Sequence, residues 1–391
     1  MDIEYWWLLG LPLFFGLGWL AARIDIKHLL SESRQLPKSY FKGLNFLLNE
    51  QPDKAIEAFI EVVKVDKETV DLHFTLGSLF RRRGETERAI RMHRNLLERS
   101  DLADEQRAHA QFELGQDYLK AGLLDRAEDV FAGLRSGIHR GEALKFLLDI
   151  YQQEKDWVKA IEVAQLLEKD TARSWQKEIA NYHCEQALFD VTHSRADEAM
   201  RHLEDALAAN RKCVRASLQL GDIRVASGDH EGAIEAWKAI EQQQPAYLAL
   251  CGQRLLDSHQ ALGKQEEGLT LLKGYLASYP SLDLLDVCFQ STLSSQGPEA
   301  AYRLVKEELR RNPTLLGLDK LLEAQIAVAP AERRQDLELV RNLVHNHTRR
   351  LARYQCESCG FKARQFYWHC PACGGWETYP PKRTEEFDLA P

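Results

Sequence analysis

The sequence predicts an all-α chain in three parts: an N-terminal transmembrane helix, a long α-solenoid, and a small metal-bound ribbon at the C-terminus. Three observations carry this. Residues 5–22 hold no charged side chain, a pattern of small residue then alanine returns through the middle at spacings of 34, and sometimes 33, 38 or 39, residues, and two C-x-x-C-G knuckles stand near the end. With 391 residues, 45% hydrophobic and 28% charged, the chain is long enough for one repeat array with short appendages. Only 12 prolines argue against long disordered stretches.

The first part reads YWWLLGLPLFFGLGWLAA from Tyr5 to Ala22. Eighteen helical residues span roughly 27 Å, enough for a hydrocarbon core. Tyr5, Trp6, Trp7 and Trp19 take positions where amphipathic rings favour the membrane interface. A cleaved signal peptide would start with positive charge, but Asp2 and Glu4 stand here instead. Arg23, Lys27, Arg34, Lys38 and Lys42 follow the run, so the positive-inside rule places the body of the chain in the cytoplasm.

The second part is read from its repeats. In the windows starting at Gly43, Gly77 and Gly115, the small residue is followed twelve positions later by Ala55, Ala89 and Ala127. Gly43 to Gly77 is 34 residues, and so is Ala55 to Ala89. Gly84 and Gly122 fall where a turn would join two helices. The frame continues through Tyr151 and Ala160, then Ala187 and Ala199. It is clear again at Gly221, Gly228, Ala233, Trp237 and Pro245, with weaker copies to Pro313. This period and these positions are those of the tetratricopeptide repeat. About eight units fit between Ser39 and Pro313, and a less regular helical pair follows to His347. Each unit buries its face only against its neighbours.

Solenoids of this kind bind partners on a concave face. On the first helix of the second repeat, Asp71, Phe74, Ser78 and Arg81 share a face by helical spacing, and His109, Phe112, Gln116 and Leu119 do so in the third. These are the candidate partner-binding residues. The alternative is a solvated face whose aromatic rings pack on the next repeat.

The third part ends in Cys356-x-x-Cys359 and Cys370-x-x-Cys373, with ten residues between the pairs. Four thiolates so spaced close a tetrahedral site, leave no open position for substrate, and point to a structural ion. Zinc is expected, and iron is the other ion such knuckles hold. Two disulfides are disfavoured in a cytoplasmic body. Gly360 and Gly374 follow each second cysteine, where a tight turn needs positive φ. Cys184, Cys213, Cys251 and Cys288 lack metal spacing and read as small apolar residues.

The formal net charge of -8 argues against nucleic acid as a general partner. No phosphate loop, H-E-x-x-H or G-x-S-x-G is present, so the chain reads as a non-enzyme. The expected boundaries are 1–23 for the anchor, 24–38 for a linker, 39–347 for eight to nine repeats, 348–380 for the ribbon and 381–391 for a tail.

The order of these parts, with GLNFLLNEQPDKAIEAF near the start and YQCESCGF and YWHCPACGGW at the end, resembles the lipopolysaccharide assembly protein B family over the full length. The resemblance implies a rubredoxin-like ribbon with Cys356, Cys359, Cys370 and Cys373 at the ligand positions. It also implies a single-pass inner-membrane adaptor facing the cytoplasm, which promotes degradation of the lipid A pathway deacetylase by an FtsH-type protease. An inner-membrane protein that senses lipopolysaccharide would oppose it. A scaffold gathering lipopolysaccharide enzymes is the alternative; an RNA-binding role fits the acidic charge poorly.

Overall fold

The computed structural model describes residues 38–49, 51–65, 70–351 and 354–383. The expected anchor, residues 24–37 of the linker and residues 384–391 lie outside them. Among the described residues no helix is long and apolar enough to cross a membrane.

Eighteen α-helices follow one another among these residues. They are α1 Lys38–Leu48, α2 Pro52–Val65, α3 Val70–Arg83, α4 Thr86–Leu97, α5 Asp104–Lys120, α6 Leu124–Gly133, α7 Arg140–Glu154, α8 Trp157–Asp170 and α9 Gln176–Thr192. Then come α10 Ala196–Ala209, α11 Val214–Ala226, α12 His230–Gln243, a 3-10 turn at Pro245–Leu250, α13 Gly252–Ala261, α14 Gln265–Ser278, α15 Leu282–Gln296, α16 Pro298–Arg311, α17 Leu315–Val328 and α18 Ala331–Leu351. Odd-numbered helices are the first helices of the repeats. The chain divides into two compact units, residues 1–150 and 151–391.

The recurring small residue has a steric cause. A Cβ at Gly43 would lie 2.5 Å from the Phe59 ring, and one at Gly115 would lie 2.7 Å from Phe131. Gly77 faces His93 and Gly221 faces Trp237 in the same way. Each partner ring stands four residues past the repeat alanine, so the first helix can approach the second only where it has no side chain. Helices then end on residues with positive φ, as at Gly84 (84°) and Gly122 (75°). Lys155 (59°) and Ser194 (60°) make the same turn without glycine. Asp156, Asp229 and Thr314 cap the helices that follow them, accepting from the backbone N–H of Lys159, Gly232 and Gly317.

In the first unit, Phe59, Leu72, Leu76, Phe80 and Ala89 form one core. In the second, a continuous core runs from Val214 to Ala324 and includes Trp237, Tyr247, Cys251 and Phe289. Cys184, Cys213, Cys251 and Cys288 are all fully buried. Helix α18 continues through Leu351, past the expected boundary at 347, because nothing after His347 breaks the helical pattern. The ribbon begins at Tyr354 with strand β1 (Tyr354–Gln355), antiparallel to β2 (Lys362–Ala363). It extends beyond residue 380, since Arg383 bridges back to Tyr354.

Candidate metal centre and its docking groove

The two knuckles are built alike. The backbone N–H of Cys356 donates to the carbonyl of Phe361, and that of Cys370 to Gly375, each at 2.9 Å. The N–H of Gly360 returns to the carbonyl of Cys356, and that of Gly374 to Cys370, again at 2.9 Å. Closing these loops requires φ of 76° at Gly360 and 68° at Gly374.

The four sulfurs lie within 4.8 Å of one another. Cys356 Sγ is 3.8 Å from Cys373 Sγ, and Cys359 Sγ is 3.8 Å from Cys370 Sγ. A tetrahedron with metal–sulfur bonds of about 2.3 Å has edges of about 3.8 Å. A disulfide would need about 2.05 Å, and none of the eight cysteines is so bonded. The residues therefore fit one ion held by four cysteines. Cys356 and Cys370 face the ribbon's interior, while Cys359 and Cys373 are exposed. Burial works against ionisation of Cys356, but the Thr378 hydroxyl and the backbone amides of Cys359 and Ser358 outweigh it and draw the thiol down to about 6. His369 lies against the Trp376 ring at 4.4 Å and is not part of the sulfur cluster. When bound, the ion supplies the cross-link that a core of Tyr354, Cys356, Cys370 and Tyr379 is too small to replace.

The ribbon does not stand free. Trp376 is 5% exposed and packs edge-on against Trp157 and Tyr182, with ring centroids 6.3 and 5.8 Å away. The Arg215 guanidinium lies 5.7 Å from its ring centre. Its indole N–H donates to Gln152 Oε1 at 3.4 Å. Next to it, Glu377 accepts from Asn181 Nδ2 at 2.8 Å. Burial raises the Glu377 carboxyl above its usual range, against the pull of Asn181, Lys177 and Arg215. At the other end, Trp368 stacks on Tyr247 at 5.4 Å. The Tyr354 hydroxyl donates to Asp283 at 3.1 Å, and Arg383 pairs with the same carboxylate at 2.8 Å. The ribbon thus lies along α7, α9, α11, the 3-10 turn and α15, on the face the first helices present in the second unit.

The repeat frame relates this seat to the candidate partner residues. Asn181 and Arg215 stand six positions before the small residues Ala187 and Gly221; Asp71 and His109 stand six before Gly77 and Gly115. Gln152 is four past Leu148, the residue in the small position of its repeat, as Arg81 is four past Gly77. In the first unit Asp71 is exposed, while Phe74, Ser78, Arg81, His109, Gln116 and Leu119 are half-buried. Phe112 is 6% exposed, stacked on His139 at 4.5 Å and packed against Phe131 and Phe146. It is a core residue, not a groove contact, because a solenoid helix is covered on two sides. Phe74 packs on His109 at 4.6 Å.

Arg81 is engaged within the unit, with Glu113 at 2.6 Å and Asp117 at 2.7 Å. Asp117 is fully buried and also meets His93 Nδ1 at 2.5 Å. His93 occupies the position that Phe59, Phe131 and Trp237 fill elsewhere. That exception to the aromatic pattern is a signal the repeat alignment held. The ribbon's seat had a weaker signal: Phe366, Tyr367, Trp368 and Trp376 are more aromatic surface than a ribbon this short can bury alone.

A family model for a rubredoxin metal binding domain matches residues 354–381, and models for the tetratricopeptide repeat match residues 42–92, 74–140 and 191–280. Lipopolysaccharide assembly protein B of Escherichia coli (strain K12) is 36% identical over 376 residues, covering 95% of this chain and 97% of the relative. Its namesake in Haemophilus influenzae is 29% identical over 397 residues, covering 98% and 99%. A solved structure of Naa15/Naa10 bound to HypK-THB matches at a TM-score of 0.39 and 15% identity, over 80% of this chain and 54% of that one, too distant to carry an argument. With a repeat array, a four-cysteine ribbon and relatives that match from end to end, the chain belongs to the lipopolysaccharide assembly protein B family.

Proposed function

We propose that the chain is an inner-membrane adaptor that regulates lipopolysaccharide synthesis. Residues 1–23 anchor it, and the repeats and ribbon lie on the cytoplasmic side. It presents the lipid A pathway deacetylase to an FtsH-type membrane protease, and an inner-membrane lipopolysaccharide-sensing protein opposes it. It acts by binding rather than by chemistry. The names of the relatives support the pathway.

The observation that best supports a particular client surface is the occupied groove. In the second unit the inner positions are taken by the chain's own ribbon, through Asn181 and Arg215. The equivalent positions in the first unit, Asp71 and His109, are an exposed carboxylate and a half-buried imidazole. With Ser78 and Gln116 beside them, they form the surface on which the client would lie. An anchor confines this surface to the membrane plane shared with the protease and raises the effective concentration of one for the other.

The test is the lifetime of the deacetylase after protein synthesis is blocked, in cells with and without the chain. The adaptor reading expects depletion to lengthen it several-fold. An unchanged lifetime, with biosynthetic enzymes co-purifying, would replace the adaptor by a scaffold.

A further inference from the structure

His183 on α9 and His202 and Asp205 on α10 each bring one ligating atom within 4.8 Å of the others. His202 and Asp205 are three residues apart and share a face of α10. The two imidazoles are nearly parallel, with centroids 6.1 Å apart and planes at 27°. None of the three belongs to the ribbon, and the thiolate cluster is separate.

An acceptor stands behind each of the two rings. His183 Nδ1 is 3.1 Å from Gln186 Oε1. An amide oxygen only accepts, so Nδ1 carries the proton and Nε2 keeps its lone pair. His202 Nε2 faces the carboxylate of Asp190 at 3.4 Å. That carboxylate is 8% exposed and is held by Arg195 at 2.5 Å. A proton on Nε2 would face that carboxylate. His202 Nδ1 is buried without a hydrogen-bond partner, and with the proton on Nε2 it offers a lone pair. A buried acceptor left unmade costs free energy unless something fills it. Burial lowers the His183 pKa against the pull of Asp205, which favours the neutral ring. Oxygen acceptors behind ligating histidines are the arrangement that orients imidazoles on a metal.

We propose that His183 Nε2, His202 Nδ1 and the Asp205 carboxylate bind one divalent transition-metal ion, for which Zn2+ suits the donor set. Two imidazoles and one carboxylate match the borderline character of that ion and leave positions to water. The ion is therefore exchangeable, unlike one closed in by four thiolates. It would join α9 to α10 two residues from Asn181 and one from Tyr182, which hold Glu377 and Trp376 of the ribbon. Loading this site would stiffen the helix on which the ribbon is seated.

The experiment uses the full-length protein in detergent, stripped of metal and titrated with Co2+. The first equivalent should show the strong near-ultraviolet charge transfer of thiolate ligation. A second, weaker equivalent should add only d–d bands. His183→Ala and His202→Ala should each remove the second equivalent and leave the first, while His193→Ala should keep both. Asp205 is exposed, so Asp205→Asn should not disturb folding and should weaken the second equivalent by roughly tenfold or more. Saturation of the wild type at one equivalent would overturn the site. So would a second equivalent that keeps its affinity in Asp205→Asn and survives both histidine changes.

Discussion

Two stretches of the same repeat meet different fates. In the second unit, the position six before the small residue is Asn181 or Arg215, and both touch the ribbon. In the first unit the same position is Asp71 or His109, and the neighbouring aromatic rings, Phe74 and Phe112, turn to other rings of that unit. The scaffold is shared; what differs, among the described residues, is whether a groove already has an occupant. A repeat period specifies the shape of a binding face and says nothing of what fills it. In this chain part of that face is satisfied internally, by a module whose own fold depends on a metal.

The largest effect should come from removing the metal. Structural four-ligand sites contribute on the order of 10–16 kcal/mol to folding in small modules. Cys356→Ser, or a strong chelator, should release the ion, unfold the ribbon and expose Trp368 and Trp376. Metal content should fall and tryptophan emission should move to the red. Unchanged emission would mean that the seat holds the ribbon folded without its ion.

Next comes the anchor residue. Trp376→Ala removes a buried ring worth about 3–5 kcal/mol and empties the space beside Trp157 and Tyr182. The ribbon should keep its metal, since Trp376 is not a ligand. Amide exchange should rise along α9 and α11 but not along α3 and α5. Equal loosening of all four helices would break the distinction between an occupied and an open groove.

The seat should also respond to pH. Burial raises the Glu377 carboxyl, so the docked form prefers the protonated acid. Sign follows from linkage: the contribution is fully present below the ordinary carboxylate range and is lost as pH rises through the raised value. Docking, followed by tryptophan emission of the metal-loaded protein, should weaken over that interval. Glu377→Gln should flatten this dependence, and a profile identical to wild type would assign it to another group.

Much of the scaffold was legible in the sequence, for steric reasons. Gly43, Gly115 and Gly221 stand where an aromatic ring from the second helix leaves no room for a Cβ. The cysteines were legible because tetrahedral thiolate geometry permits few spacings. The ribbon's seat was not. Asn181 and Glu377, or Asp283 and Arg383, are paired across long stretches of chain and carry no periodic signal. Phe112 was read as part of a groove because helical spacing groups it with His109 and Gln116, but spacing does not tell which of two neighbouring repeats covers a face. Arg383, expected in a featureless tail, ties the ribbon to α15.

The smallest effect concerns the turns. Lys155 and Ser194 hold φ of 59° and 60° where other repeats use glycine. Lys155→Gly should raise stability by about 1 kcal/mol, since a left-handed residue with a side chain is strained by that order. A lower melting temperature would show that the lysine side chain stabilises the turn in another way.

The most direct measurement of the central claim is the deacetylase lifetime in cells carrying Asp71→Ala with His109→Ala, compared with cells carrying Trp376→Ala. If the open groove of the first unit receives the client, the double substitution lengthens the lifetime toward that of cells lacking the chain. If the lifetime stays short in that variant and lengthens only when the ribbon is unseated, the client surface is the ribbon and its groove, and the division between the two units is drawn wrongly.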